Sequence, residues 1–400
     1  MAMTDRTKDR AVIVGGGIGG LAAALGLAQK GVPAIVLERA SRFGEIGAGI
    51  QLGPNAFHAF DYLGVGDAAR AAAVYVDKLR LMDATNGEEI VHIPLEEDFR
   101  AFFGNPYAVV HRADLHGVLM QACEASALIE LCTDQDVTAF EQDTNSASAI
   151  LSDGTRINGR FLIGADGLRS NIRECMLQDG PPRVSGHTTY RTVIPYDQMP
   201  DDLRWNAATL WAGPKCHIVH YPLTGWKYFN LVVTYHNDAP EPVAGLPVDR
   251  EMVRRGFEHI HPRAQQIIEH GENWRLWVLC DRDPGDIWVD GNVALLGDAA
   301  HPMLQYMAQG ACMAMEDAVC LSHMIDSHDQ IDQALQAYQD MRLPRASRVQ
   351  MSSRLIGDYV YHPDGAQAKV RDHVLKNWSP EEFYHRLNWI YGGNGIKNPA

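Results

Sequence analysis

Glycines 15, 17 and 20 stand in the spacing G-x-G-x-x-G, inside VIVGGGIGG at residues 12–20, and Glu38 follows eighteen residues after the last of them. This pattern does one recognisable piece of chemistry. Gly15 permits a tight turn, Gly17 lets the backbone approach a pyrophosphate, and Gly20 lets the next helix pack close to the preceding strand. A carboxylate at position 38 accepts hydrogen bonds from a ribose and repels a 2′-phosphate. Two more stretches share this form, an apolar run ending in a Gly/Asp turn. LIGADGLRS at residues 162–170 contains Asp166 and Gly167, and LLGDAAHP at residues 295–302 contains Asp298. In this order and spacing, the three suggest a chain that folds back twice to complete one dinucleotide site of the flavin kind. Asp166-Gly167 also reads as a plain turn, and Asp298 as a helix N-cap, a role compatible with ligand binding.

The elements that position these residues follow from periodicity. Apolar residues 11–14 make a buried strand, residues 20–30 a helix whose amides and dipole point at the phosphates, and Ala34–Leu37 a second strand. The Gly-rich segment 44–55 (GEIGAGIQLGPN) suits close contact with a planar ligand. A helix is expected over about 54–72, strands over 78–82 and 89–93, and a helix from HRADL at residues 111–115 to about 127. Asp153-Gly154 and Asn158-Gly159 are hairpin signals. Residues 185–284 turn rich in Tyr, Trp, Val and Thr, with period-two stretches at 216–221 and 228–234, which predicts a mostly antiparallel sheet. On the strand over 216–221, His217 and Tyr221 share a face and His220 points the other way. Both also read as core residues satisfied within the sheet. Residues 310–324 and 331–353 are helical.

The expected fold is therefore α/β. A discontinuous Rossmann-like FAD-binding domain (1–75, 105–184 and 285–355) carries an inserted, mostly antiparallel β-sheet substrate domain (76–104 and 185–284). Residues 356–400 form a C-terminal helical arm. Its aromatics Trp378, Phe383, Tyr384, Trp389 and Tyr391 read as a packing arm or a dimer contact.

Composition narrows the function. A net charge of −15 argues against nucleic acid and anionic membranes as partners, so an anionic substrate needs a local positive or hydrogen-bonding pocket. The seven cysteines are odd in number, scattered and without a C-x-x-C pair, which fits reduced thiols in a cytoplasmic protein and no zinc site. The seventeen histidines show no H-x-x-x-H or H-E-x-x-H spacing, so no metal is expected. Residues 11–28 carry no charge and could pass for a signal peptide or a membrane span. Their glycines fit a phosphate loop better, and cleavage there would destroy the fingerprint. The chain reads as soluble.

The three motifs together resemble the single-component, FAD-dependent aromatic hydroxylases over nearly the whole chain. The resemblance implies non-covalent FAD, with NADH as a co-substrate that has no Rossmann domain of its own; no second G-x-G-x-x-G is apparent. It implies that Asp166-Gly167 meets both FAD and the pyridine nucleotide, and that Asp298 binds the ribityl or ribose region. Arg112 would approach the flavin diphosphate, although a local cap or salt bridge also fits it. Arg39 and Gln51 are further carried-over contacts. Many relatives have a Pro-x-x-Gly-Gln-Gly loop after the Gly-Asp motif, where this chain reads MLQYMAQGA at 303–311. Gln309-Gly310 keep its end, so the amides of Gly310 and Ala311 can face the pyrimidine edge of the flavin.

Gln305 replaces the commoner proline and puts an amide where substrate should lie. With Tyr306-Met307 and the strand over 216–221, it points to the branch of the family that acts on 3-hydroxybenzoate. The implied partners are a small aromatic acid and O₂, with a homodimer as the family expectation. By resemblance NADH reduces FAD, O₂ forms a C4a-hydroperoxide, and oxygen enters para to the hydroxyl, giving 2,5-dihydroxybenzoate (gentisate). A phenolate is the better nucleophile, and a phenol of pKa about 10 stays protonated near neutrality. His217 is the implied base, Gln305 holds the hydroxyl, and Tyr221 helps choose the carbon that reacts. Arg191 is a conceivable but not a singled-out partner for the substrate carboxylate. A salicylate-type decarboxylating hydroxylase and a non-oxygenating FAD-binding redox protein are the alternatives. Gln305 and its loop speak against the first, and the intact His217/Gln305/Tyr221 set against the second. Glu38 belongs to the FAD site and does not choose between NADH and NADPH.

Overall fold

A computed structural model describes residues 9–44 and 49–399, so residues 45–48 of the Gly-rich segment lie outside the described residues. Its first layer is a six-stranded sheet in the order Val289–Asp290, Val293–Leu295, Phe161–Gly164, Ala11–Val14, Ala34–Leu37, Ile129–Cys132. All neighbours run parallel except the first pair. Strands reading AVIV, AIVL and FLIG are apolar throughout because both faces of the sheet are covered, one by helices and the other by the antiparallel sheet of Val137–Gln142, Ala147–Leu151 and Arg156–Gly159, and every residue in them is buried. Helices Ile18–Gln29 and Gly310–Ser327 pack together against this sheet. Close approach needs Gly26, where an added Cβ would sit 2.9 Å from Ser322 Oγ.

The second layer is an eight-stranded sheet in the order Ala244–Pro247, Arg275–Asp281, Arg183–Pro195, Tyr228–His236, Cys216–Leu223, Ala207–Gly213, Lys78–Asp83, Glu89–Pro94. One pair is parallel, Ala207–Gly213 with Lys78–Asp83, and the others are antiparallel. The strand Cys216–Leu223 is buried on both faces. Its period of two therefore separates two cores rather than core from solvent. Val219, Tyr221 and Leu223 pack with Val109, Val349 and the C-terminal aromatics. Cys216 and Ile218 pack on the other side with Phe229, Leu231 and Trp274.

A small sheet of Gly49–Leu52, Ala108–His111 and Val74–Tyr75 joins the two layers. Gly49 donates its amide to Asn230 Oδ1 at 2.7 Å, and a Cβ on Gly49 would lie 2.6 Å from the Tyr221 ring. This contact ties the Gly-rich segment to the substrate-side sheet.

Two local expectations need correction. The helix expected over 54–72 is two helices, Pro54–Tyr62 and Gly66–Ala72, because Gly64 takes a left-handed φ of 72° and ends the first. Asn158-Gly159 is not a turn: it lies in the strand Arg156–Gly159, where an added Cβ on Gly159 would sit 2.6 Å from Arg10 O. The hairpin turns at Asp153-Gly154, with Gly154 at φ 86°.

After Ile331–Ile356 the chain makes a wide turn, Gly357–Tyr361, and two helices, Gly365–Lys376 and Pro380–Tyr391. Phe383, Tyr384 and Tyr391 pack into the core of the second sheet beside Phe99 and Phe103, and Tyr384 donates to Pro94 O at 2.8 Å. Among the described residues no helix is long and apolar enough to cross a membrane.

Candidate active site

A cleft of about 590 Å³ runs from the first glycine turn to the face of the eight-stranded sheet. Every residue read from the sequence as catalytic or cofactor-binding lines it except Gly20, whereas Tyr306 and Met307 do not. Gly20 acts from beneath: a Cβ there would lie 2.0 Å from Gly15 O, so only glycine allows the helix this close to the strand. Gly15 has φ 109°, and its Cβ would meet Ala165 O at 2.3 Å. The first and second motifs are thus in backbone contact.

Helices Ile18–Gln29 and Gly310–Ser327 both begin at the cleft. Their N-caps, Gly17 and Gln309, make no side-chain capping bond, so first-turn amides are left for a ligand. Ile18, Gly19, Gly310 and Ala311 line the wall there. Glu38 accepts the amides of Gly16 and Ala40, both at 2.9 Å. One oxygen is spent on each, and a carboxylate keeps further lone pairs for a ribose. Arg39, Gln51 and Arg112 line the same cleft, and Gln51 Oε1 accepts from Tyr107 at 2.5 Å.

The two Asp motifs differ. Asp166 accepts from Ser170 Oγ at 2.5 Å and from the Ile172 amide at 3.2 Å, so it also builds the start of helix Asn171–Leu177. Burial raises its pKa. Gly167 beside it has φ 80°. Asp298 is exposed to the cleft and caps no helix: the cap position before Gly310 is Gln309. The turn bearing Asp298 is held from below. Asp317 Oδ2 accepts the Gly297 amide at 3.0 Å and bonds His301 Nε2 at 2.5 Å. Arg342 donates to Asp317 at 2.7 Å and to Glu316 at 2.6 Å, and Arg345 and Asn55 close on Glu316. Burial pushes Asp317 up, but His301 and Arg342 outweigh it and hold the carboxyl at about 2.

On the sheet face the register aligns His217 with Thr234 and Thr189, Val219 with Val232 and Arg191, and Tyr221 with Asn230. Gln305 lies across these rows. Arg191 Nη2 donates to its Oε1 at 2.8 Å, and its Nε2 donates to Thr234 at 3.1 Å and Thr189 at 3.3 Å. Arginine can only donate, which fixes the orientation of the amide. Sequence reasoning missed the partner of His217. His217 Nδ1 lies 2.7 Å from His362 Nε2, and the rings of Tyr306 and Tyr361 stand 5.6 and 4.8 Å away. Burial, then the neighbouring His362 and His187, hold His217 well below the ordinary histidine range. Burial raises the pKa of Tyr221.

The glycine cradle, the two uncapped helix starts and the carboxylates at 38 and 298 fit the phosphates and riboses of FAD. Comparison with known proteins agrees. The FAD binding domain family matches residues 8–353. The chain is 54% identical over 386 residues to "3-hydroxybenzoate 6-hydroxylase 1" of Aquipseudomonas alcaligenes, covering 96% of this chain and 98% of that one. It is 46% identical over 394 residues to "3-hydroxybenzoate 6-hydroxylase" of Polaromonas naphthalenivorans (strain CJ2), covering 98% of both. A crystal structure of an Arg-to-Gln variant of Klebsiella pneumoniae HpxO complexed with FAD superposes with a TM-score of 0.83 at 26% identity, over 95% of this chain and 97% of that one. The chain belongs to the FAD-dependent aromatic hydroxylases, flavoprotein monooxygenases of the FAD binding domain family.

Proposed function

We propose that the protein hydroxylates 3-hydroxybenzoate para to its hydroxyl group, using NADH and O₂ and releasing gentisate. The observation that carries this is the row of His217, Gln305 and Tyr221 on one sheet face of the cleft. The identity to relatives named for that activity supports it.

FAD, bound in the cleft and reduced by NADH, supplies with O₂ the electrophilic oxygen. The chain's own residues prepare the ring. His217 Nε2 takes the phenol proton while Nδ1–H donates to His362 Nε2, the tautomer in which Nε2 keeps its lone pair. The imidazolium and phenolate formed are neighbours, so the low-dielectric site gains an ion pair and no net charge. Gln305 Oε1 uses one lone pair on Arg191 and has a second for the substrate hydroxyl. The Tyr221 hydroxyl, protonated at any working pH, donates to substrate and turns the ring. Tyr306 and Tyr361 close the wall behind His217 and exclude water. The same reading includes the homodimer and the cytoplasmic location that the family resemblance implies.

The test is NADH oxidation by the FAD-loaded enzyme with 3-hydroxybenzoate and salicylate in parallel, with products separated by chromatography. Gentisate from 3-hydroxybenzoate, coupled to NADH consumption, is expected. Catechol from salicylate, or NADH consumption that yields only H₂O₂, refutes the reading.

A further inference from the structure

Arg191 is a cation without an anion. It sits in the middle of the eight-stranded sheet, on the strand Arg183–Pro195, and its side chain lines the cleft. Among the described residues its only hydrogen-bond acceptor is Gln305 Oε1, its Nε is buried with no partner, and no Asp or Glu forms an ion pair with it. The Trp277 ring lies 5.4 Å from the guanidinium and walls off one side. Other buried arginines here are neutralised: Arg342 meets Glu316 and Asp317, and Arg345 meets Glu316. A guanidinium stays charged and has five donors, so leaving it half-buried with a buried, unpartnered Nε is costly unless a ligand completes it. Burial already draws its pKa down.

Its position relative to His217 identifies the ligand group. Arg191 is two strands across and two residues along from His217, roughly 10 Å by 7 Å at the backbone. Gln305 bridges the interval, with its Oε1 on Arg191 and its Nε2 on the threonines of the His217 row. We infer that Arg191 binds the carboxylate of the aromatic acid, so that a ring lying on the sheet presents its hydroxyl to His217 and its carboxylate to the guanidinium fork. The inference rests on the proposed substrate and adds a specificity determinant. Gln305 positions the fork, and anchoring hydroxyl and carboxylate at two points fixes which ring carbon is presented for attack. The cation adds to the local positive potential of a cleft that Arg39, Arg112 and Arg169 also line, in a chain whose net charge is −15.

The experiment measures binding to the oxidised, FAD-loaded enzyme by calorimetry, with 3-hydroxybenzoate and with the neutral analogue 3-hydroxybenzamide. The wild-type enzyme is expected to prefer the acid. Arg191→Gln should weaken the acid roughly 10- to 100-fold, as for the loss of a charge-assisted hydrogen bond, and the amide less than about threefold. Arg191→Lys keeps the charge without the fork, so it should fall between and serves if Arg191→Gln does not fold. Equal weakening of acid and amide would mean that Arg191 only props Gln305, and would overturn the inference. So would unchanged acid binding. If the wild-type enzyme binds neither compound, the substrate reading fails and takes the carboxylate site with it. If the wild-type enzyme makes gentisate but Arg191→Gln does not discriminate, only the carboxylate site fails.

Discussion

His217 and His362 face each other nitrogen to nitrogen, Nδ1 to Nε2 at 2.7 Å, across 145 residues of sequence. Only one of these nitrogens can carry the shared proton. If it sits on His217 Nδ1, His217 Nε2 is a free base, and the second proton of the pair is on His362 Nδ1, which is buried without a partner. In the opposite tautomer His217 Nε2 bears a proton and cannot act as a base. With His217 as the proposed base, His362 would orient it, in the role a carboxylate plays elsewhere but without its charge.

The first prediction concerns that pair. His217→Ala should lower kcat on 3-hydroxybenzoate by roughly 100- to 10,000-fold, the usual worth of a positioned base. The residual rate should climb with pH toward the phenol's own pKa of about 10, because the solvent must then remove the proton. His362→Phe should lower kcat less, leave the binding of 3-hydroxybenzoate nearly unchanged, and steepen the same pH profile. A flat profile in both variants would remove His217 from the proton transfer.

Two buried histidines, His362 of this pair and the neighbouring His187, make stability depend on pH. Burial, helped by neighbouring charges, holds His187 at about 4 and His362 at about 3. Their folded values lie below the unfolded value of about 6.5, so the unfolded chain binds more protons in mild acid and stability falls as pH drops below about 6.5. At pH 5 each buried neutral histidine costs roughly 2 kcal/mol relative to pH 8. The melting temperature should therefore fall steadily from pH 7 to pH 4.5, and His187→Gln should reduce the slope. Scanning calorimetry across that range decides it, and a constant Tm down to pH 5 would contradict the buried, neutral assignment.

How far all this was legible depends on the range of the signal. The strands Ala11–Val14, Ala34–Leu37 and Phe161–Gly164 were readable because each is an unbroken apolar run closed by a glycine or acidic turn. His217 and Tyr221 could be placed on one face because a strand's period is fixed at two. Gly64 was a local stop signal hidden in a helix-like run, so one helix was read where two exist. His362 was not legible, since nothing near it in sequence marks it as the partner of a strand 145 residues away. Arg191 sits in an ordinary period-two strand, and an absent counter-charge is visible only in three dimensions. The Glu316-Asp317 pair did leave a trace, two acids within the otherwise apolar stretch 312–321 of its helix, matched by Arg342 and Arg345 one turn apart in the next.

The glycine cradle makes a graded prediction. In Gly15→Ala the new Cβ meets Ala165 O at 2.3 Å, and neither backbone can give way, in a φ region that alanine avoids. Gly167→Ala meets nothing within 4 Å and carries only the left-handed strain at φ 80°, roughly 1–2 kcal/mol. Purified Gly15→Ala should therefore be colourless and take up no FAD at 100-fold excess over the wild-type requirement. Gly167→Ala should bind FAD with about tenfold weaker affinity. The ratio of flavin to protein absorbance reads both, and a fully yellow Gly15→Ala protein would mean the turn is not under this constraint.

The last prediction concerns the ion cluster under the Asp298 turn. Arg342 is completely buried and neutralises two carboxylates, one of which also holds the Gly297 amide. Arg342→Met leaves Glu316 to Arg345 and Asp317 to His301, and should destabilise the protein by about 3–5 kcal/mol, the cost of breaking a buried ion pair from one side. Adding Asp317→Asn removes the charge left without its arginine and should recover part of that loss, although the asparagine must still satisfy Gly297 and His301. FAD affinity should follow the turn rather than global stability. If Arg342→Met lowers Tm while holoenzyme still forms at wild-type FAD concentrations, Asp317 and His301 hold the Gly297–Asp298 turn without Arg342. If FAD is lost at temperatures where the fold persists by circular dichroism, the arginine is part of what presents Asp298 to the cofactor.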